Sequence, residues 1–343
     1  MFQDISLEEL LQKHKEGHTF IDVRSPKEFM ESTIPGSKNI PVFTNEERAE
    51  IGTIYKQISP EAARERGLKI FSQKLPQFIA EFKKINTPMT VFCWRGGMRS
   101  KTAATVLDLM GIHANRLSGG IRSYRQWVVR ELEKGDFPPE LYVLNGYTGS
   151  GKTILLKKLA DAGYPIIDLE EMAGHRGSIF GQIGLEPSNQ KKFDSLLVEE
   201  IHRFHEKPFI FIEGESKRIG KVVLPEFFNE KKEKGVQFFI HLPIEERIKN
   251  ILADYEPWKY PEKFVEAFQY IKKRIHIPIA KQIEQALQDG DFQAVTYLLL
   301  TSYYDPRYEY SISHHSMGEQ IMIEATNVDD AFEQLLSYLS NIN

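Results

Sequence analysis

The sequence predicts an α/β protein built as two parallel-sheet domains, the second with a largely helical C-terminal part. Three observations carry this. Short apolar runs alternate with amphipathic segments in both halves, the pattern of buried strands joined by crossover helices. Two of those strands run into glycine-rich loops that open directly into helices, one after Phe92 and one after Leu144. A polar stretch punctuated by Gly and Pro, Glu133 to Pro139, reads as the linker between the halves. It sets the domains at 1–135 and 139–343, and 343 residues suit two domains of about 150 each.

In chain order, Ser6 to His14 reads as a helix, and Phe20-Ile21-Asp22-Val23 as a short strand entering the turn residues Arg24-Ser25-Pro26. Met89-Thr90-Val91-Phe92 has the buried-strand pattern and leads into Cys93-Trp94-Arg95-Gly96-Gly97-Met98-Arg99-Ser100. Ala103, Val106, Leu107 and Met110 then recur at helical spacing, with Gly111 where a helix-ending glycine belongs. A strand around Asn115 to Leu117 ends in Ser118-Gly119-Gly120, and a basic, aromatic helix follows from Ile121 to Glu133. Beyond the linker, Leu141 to Leu144 is a strand and Thr153 to Ala162 a helix. Phe193, Leu196, Leu197, Ile201 and Phe204 mark another helix, and Phe209 to Ile212 a strand closed by Glu213-Gly214-Glu215. Phe238 to Leu242 is a strand before a charged helix starting near Pro243. From Trp258 onward the chain reads as mostly helical.

Composition narrows the function. A single cysteine excludes an internal disulfide framework, a Cys-rich zinc site and a CxxC redox pair. A net charge of -4 argues against coating nucleic acid by bulk charge and leaves room for a local basic groove. No run approaches the roughly 20 apolar residues of a membrane span, and the first residues lack a signal-peptide core, so a cytoplasmic location is expected.

Gly146-Tyr147-Thr148-Gly149-Ser150-Gly151-Lys152-Thr153 fits GxxxxGK[ST] between a strand and a helix. Glycines at these positions let backbone N–H groups turn inward on a di- or triphosphate. Lys152 supplies a mobile cation, Thr153 offers a hydroxyl to Mg²⁺, and the helix adds its positive end. The second domain is thus expected to be P-loop NTPase-like. Glu213, Glu215 and Asp168, each at a strand end, are the candidates for a second acidic element. The motif specifies polyphosphate binding, not hydrolysis.

Cys93 follows a buried strand and opens a loop that ends at Arg99, where a helix begins. Backbone N–H groups at a helix N-terminus, with Arg95 and Arg99 nearby, favour thiolate over thiol, so a depressed pKa and a nucleophilic role are expected. The competing reading is a small buried hydrophobe, a common fate of a lone cysteine.

Asp22-Val23-Arg24-Ser25-Pro26, Glu28-Phe29 and Ile34-Pro35-Gly36-Ser37-Lys38-Asn39-Ile40-Pro41 resemble the opening of a rhodanese domain, and Leu117-Ser118-Gly119-Gly120 its closing strand. In that family the loop cysteine carries a persulfide. Here the spacing is CxxxxxR, one residue longer than in the usual sulfur-transferring loop, and it is similar to that of rhodanese-fold phosphatases, whose ring suits a phosphate-sized group. A rhodanese-like half joined to the phosphate loop, with Phe211-Ile212-Glu213-Gly214-Glu215-Ser216 and Tyr303-Tyr304-Asp305-Pro306-Arg307-Tyr308, resembles the tRNA 2-selenouridine synthase family over most of the chain.

The resemblance implies a tRNA-modifying selenotransferase, with associated geranyltransferase activity, acting on the wobble 2-thiouridine of Lys, Glu and Gln tRNAs. Selenium would come from selenophosphate, with selenophosphate synthetase as its candidate supplier, and an S-geranylated intermediate from geranyl diphosphate. No tightly bound cofactor is implied, and Mg²⁺ is a candidate ion. Cys93 would attack selenophosphate and hold selenium as a selanyl-cysteine, the ring binding the leaving phosphate with Arg99 and Arg95 as charge partners. The phosphate loop would grip the diphosphate of geranyl diphosphate, with ATP or GTP as the other ligands open to it. Arg122, Arg125, Trp127 and Arg130 are the leading candidates for tRNA contact, beside Arg116, Lys217, Arg218, Lys221 and Lys272-Lys273-Arg274. Two other readings stay open: a rhodanese-fold phosphatase or arsenate reductase fused to a kinase-like domain, which lacks support from a histidine before the cysteine because Phe92 stands there, and a non-catalytic nucleotide-gated docking module.

Overall fold

The computed structural model describes residues 2–309 and 319–342. The chain divides into two compact units, Met1–Lys134 with Asp194–Val198, and Gly135–Phe193 with Glu199–Asn343.

The first unit holds β1 (Asp4–Ile5), α1 (Leu7–Lys15), β2 (Thr19–Asp22), α2 (Pro26–Glu31), β3 (Lys38–Asn39), α3 (Asn45–Gln57), α4 (Pro60–Lys83), β4 (Met89–Phe92), α5 (Met98–Leu109), β5 (Ala114–Leu117) and α6 (Gly120–Lys134). Its five strands are all parallel in the order β1-β5-β4-β2-β3. A parallel sheet is covered on both faces, which is why β4 is buried at every position. The register Asp22↔Phe92 brings the C-terminal ends of β2 and β4 together. There Asp22 and Arg24, both buried, form an ion pair at 2.6 Å, and Thr33 donates to Asp22 at 2.9 Å. The Asp-Val-Arg signature is therefore a buried clamp on the turn after β2. Helix starts follow their capping chemistry: the Thr44 N–H bonds Glu47 at 2.7 Å, and Ser59 accepts from the Ala62 N–H with Pro60 in the first helical position.

The second unit holds β6 (Glu140–Gly146), α7 (Lys152–Asp161), β7 (Ile166–Ile167), α8 (Leu169–Ala173), α9 (Gln190–Phe204, apart from Asp194–Val198, which belong to the first unit), β8 (Phe209–Glu213), β9 (Arg218–Ile219), β10 (Val222–Val223), α10 (Glu226–Lys234), β11 (Val236–His241), α11 (Ile244–Tyr255), α12 (Pro261–Ile271), α13 (Ile277–Asp289), α14 (Phe292–Leu299), β12 (Gln320–Glu324) and α15 (Val328–Ile342). The main sheet runs β12-β11-β6-β8-β7, all parallel. β6 is central, with β8 on one side and β11 on the other. The connections leave β6 in both directions, and the carboxyl ends of strands at such a reversal are where α/β sheets bind ligands. One core lies on this sheet, around Leu144, Leu155, Phe211, Phe238 and Leu335. A second packs α12, α13 and α14 around Phe264, Phe268 and Ile283.

The structure adds detail to two expectations. The C-terminal part is largely helical, as expected, and β12 adds an edge strand alongside β11, Gln237↔Gln320 through His241↔Glu324, before the final helix. Its burial alternates and its ends are the polar Gln320 and Glu324, so it lacks the continuous apolar run by which the inner strands are recognised. The stretch Glu133–Pro139 is also less of a tether than its composition suggests. α6 extends to Lys134, and Phe137 is buried in the second unit, stacked on Phe228 at 5.8 Å.

Candidate functional site

In the first unit, β4 delivers Cys93 to the sheet edge and α5 begins at Met98, leaving a tight loop between them. The loop is braced from below. Ile121 N–H donates to the Cys93 carbonyl at 2.9 Å, Arg122 N–H to Trp94 at 3.0 Å, and the Arg116 guanidinium to Gly96 at 2.7 Å. Gly120 makes this approach available. Its φ is +60°, and a Cβ there would sit 2.3 Å from the Cys93 oxygen and 2.5 Å from the Gly96 nitrogen.

Cys93 is itself buried, 3% exposed, among Val91, Ala103, Ala104 and Leu107. Its Sγ lies 3.2 Å from Ser100 Oγ, and Ser100 also donates to the Gly97 carbonyl at 3.3 Å. The Gly97 carbonyl lies 3.9 Å from the sulfur, and the first turn of α5, which starts five residues on, has N–H groups without intrahelical partners. The sequence motif by itself assigns no role to Ser100; its place in the first turn of α5 is the signal that marks it.

Arg99 is not simply a partner for an anion. Its guanidinium forks onto Glu28, with contacts of 2.6 and 3.1 Å. Burial pushes the Glu28 carboxyl up, but Arg99, the Ser25 N–H and Arg48 outweigh it and hold the group at about 2. Arg95 is exposed on the loop beside half-exposed Trp94. Along α6, Arg122 and Arg130 are exposed. Arg125 is paired with Asp194 at 3.0 Å in the same unit. Trp127 packs on Tyr124 and the apolar core rather than offering an open ring. Arg116 is drawn into an ion pair with Asp4.

In the second unit, Gly146–Thr153 wraps the C-terminal end of β6 and opens α7. Gly151 takes φ +77° at the helix start, where a Cβ would meet Val328 at 2.5 Å. Lys152 Nζ lies back on the Gly146 carbonyl at 3.2 Å. The Ser150 hydroxyl is buried without a partner, a donor left for a ligand. The loop is held from outside by Arg247, which is buried, donates to the Thr148 carbonyl at 3.0 Å, stacks over Tyr147 at 4.9 Å and pairs with Asp305 at 2.6 and 3.0 Å. The Tyr-Tyr-Asp-Pro-Arg-Tyr segment thus acts through Asp305 on the phosphate loop.

The acidic residues are brought together, with one addition. Glu213 is fully buried at the end of β8, and one of its oxygens accepts from the Leu169 N–H at 3.0 Å. Asp168 caps α8 through the Glu171 N–H at 2.7 Å. Burial, then the nearby Asp168 and Glu170, pushes the Glu213 carboxyl well above its ordinary range. Glu170 is the residue that reaches the loop, accepting from Thr153 Oγ1 at 3.1 Å. Burial, reinforced by Glu215 and opposed by Lys152, raises it to about 8. In sequence Glu170 is one of two glutamates at a helix start, which reads as a solvated end. Among the described residues no three His, Cys, Asp or Glu side chains are arranged to hold a metal ion, and no helix is long and apolar enough to cross a membrane.

Comparison with known proteins matches residues 139–339 to the tRNA 2-selenouridine synthase AAA domain and residues 6–126 to the rhodanese-like domain. A tRNA 2-selenouridine synthase of Hydrogenovibrio crunogenus is 32% identical over 93% of this chain and 95% of its own. One from Aeromonas salmonicida is 31% identical over 86% and 87%, and one from Bdellovibrio bacteriovorus 34% identical over 74% and 68%.

Proposed function

The chain belongs to the tRNA 2-selenouridine synthase family, and on that premise we propose that it turns wobble 2-thiouridine of Lys, Glu and Gln tRNAs into 2-selenouridine through an S-geranylated intermediate. The observation that supports this best is a cysteine loop at a helix N-terminus and a complete phosphate cradle carried by one chain. Neither alone would serve a two-stage exchange at one carbon.

In the first stage the thione sulfur bonds to C1 of geranyl diphosphate as the C1–O bond breaks. Diphosphate keeps the electron pair and is held by the cradle, and the base loses its N3 proton. S-alkylation makes the sulfur a neutral thiol leaving group. In the second stage Cys93 starts as a mixed disulfide with an outside thiol, since the chain has no second cysteine. The selenium of selenophosphate attacks its sulfur, the outside thiol leaves with the S–S electron pair, and water takes the phosphoryl group as phosphate, which leaves selanyl-cysteine. That selenium bonds to C2 as the C2–S bond breaks and the geranyl thiol departs. The outside thiol then attacks the Cys93 sulfur, which breaks the S–Se bond, releases 2-selenouridine and restores the mixed disulfide. Thr153 and Glu170 are the groups that would hold Mg²⁺, which would offset diphosphate charge. Arg95, Arg122 and Arg130 are the exposed cations we assign to tRNA phosphates. The phosphatase reading is the weaker one, because Arg99 is already engaged by Glu28.

The test incubates the protein with 2-thiouridine tRNA, geranyl diphosphate and selenophosphate, omitting each in turn, with mass spectrometry of the wobble nucleoside. Cys93→Ser should abolish selenium incorporation while geranylation persists, and Lys152→Ala should reduce geranylation. Full selenation by Cys93→Ser would overturn the role given to Cys93.

A further inference from the structure

The second unit contains an apolar pocket whose wall includes Thr148 of the phosphate loop. Ile251, also in the wall, packs against that loop so closely that a Cβ on Gly149 would sit 2.8 Å from its Cδ1. We infer that this pocket takes the hydrocarbon chain of the diphosphate held by Gly146–Thr153, and so selects an allylic diphosphate over a nucleotide. The inference rests on the proposed geranyl donor and adds where its chain lies.

The lining chemistry carries the argument. Phe180, Phe264 and Leu299 are buried side chains that form the hydrocarbon wall. Three of the hydroxyls in the wall are already engaged: Ser178 and Tyr255 share a hydrogen bond of 2.9 Å, and Thr296 donates to the Phe292 backbone carbonyl at 2.7 Å. The buried Tyr304 hydroxyl has no such partner. A ribose and a base would bring several polar groups into a place that can satisfy few of them, at a desolvation cost for each. A prenyl chain brings none. The space is also slim: about 40 Å³ is open to the centre of a water molecule, a few times the roughly 10–15 Å³ needed for one water. A thin chain threads such a slot more readily than a planar base.

Titration calorimetry of the full chain with geranyl, dimethylallyl and farnesyl diphosphates, inorganic pyrophosphate and ATP tests this. Geranyl diphosphate should bind about 100- to 1,000-fold tighter than dimethylallyl diphosphate, from burial of five further carbons. Val295→Phe, which fills the slot from α14, should erase that preference and leave pyrophosphate binding unchanged. Leu299→Ala, which widens it, should shift preference toward farnesyl diphosphate and guards against a misfolded first variant. If both variants keep the wild-type preference for geranyl diphosphate, the chain lies elsewhere and the inference falls while the proposed donor survives. If Val295→Phe instead weakens ATP selectively, the pocket takes a nucleoside and the inference is wrong. If the wild type neither prefers nor transfers the geranyl group, the proposed donor itself fails.

Discussion

Gly120→Ala should disable the cysteine loop without touching a reacting atom. At φ +60° an L side chain costs about 1–2 kcal/mol. The added Cβ would lie 2.3 Å from the Cys93 oxygen, 2.5 Å from the Gly96 nitrogen and 2.9 Å from the Arg95 nitrogen. All three are backbone atoms of the loop, so no side chain can swing aside, and an ordinary contact of 3.4 Å asks the loop to retreat by about 1 Å. Overpacking of this kind costs about 1–3 kcal/mol. The retreat also loosens the Ile121 and Arg122 N–H bonds to the loop, at about 1 kcal/mol each. The total is about 4–7 kcal/mol, released by unfolding the first unit or by displacing Cys93. A displacement near 1 Å costs a reaction about 100-fold. Selenium incorporation per enzyme and thermal unfolding, measured side by side, read both outcomes. Gly97→Ala is the control: its φ is -83° and nothing lies within 4 Å of the new Cβ, so it should cost no more than the change of an N-cap residue, about 1 kcal/mol. Wild-type selenation and melting for Gly120→Ala, or equal damage from Gly97→Ala, would refute the reasoning.

Two further outcomes are expected. Glu28 is held at about 2 against an ordinary 4.5; a carboxyl depressed by folding contributes stability that is present above 4.5 and lost as pH falls toward 2. That shift is worth up to about 3 kcal/mol, and about 2 kcal/mol after allowing for its one-quarter exposed side chain. Urea unfolding of the first unit's transition at pH 6 and pH 3 should therefore show a larger acid loss in the wild type than in Glu28→Gln; equal losses would remove Arg99 as the dominant partner. Arg247→Met should cost about 2–4 kcal/mol by leaving Asp305 unpaired and should weaken pyrophosphate binding measured by calorimetry, because Thr148 loses its brace. Unchanged binding would mean that the loop holds its shape without Arg247.

Legibility followed sequence distance. The phosphate cradle could be read because its parts occupy eight consecutive residues, and the strand–cysteine–helix element because it needs only β4, a glycine pair and the start of α5. β12 was hidden because an edge strand with alternating burial lacks a continuous apolar run, and α3 and α4 lie in a stretch without a recognisable motif. Trp127 resembled an exposed stacking ring until Tyr124 and the core were seen against it. Arg116 read as a surface cation, yet it braces Gly96.

By itself the sequence determined the two α/β halves, the strand–loop–helix that carries the lone cysteine and the GxxxxGK[ST] loop, since backbone conformation, helix starts and glycine requirements are set by neighbours a few residues away. Tertiary structure alone decided the partners. Arg99 meets Glu28 across 71 positions, Arg247 meets Asp305 across 58, Glu170 rather than its neighbours reaches Thr153, and apolar residues from α11, α12 and α14 converge on the wall beside Thr148. Charges and apolar groups act over a few ångströms of space, and only the folded chain brings residues far apart in sequence within that range.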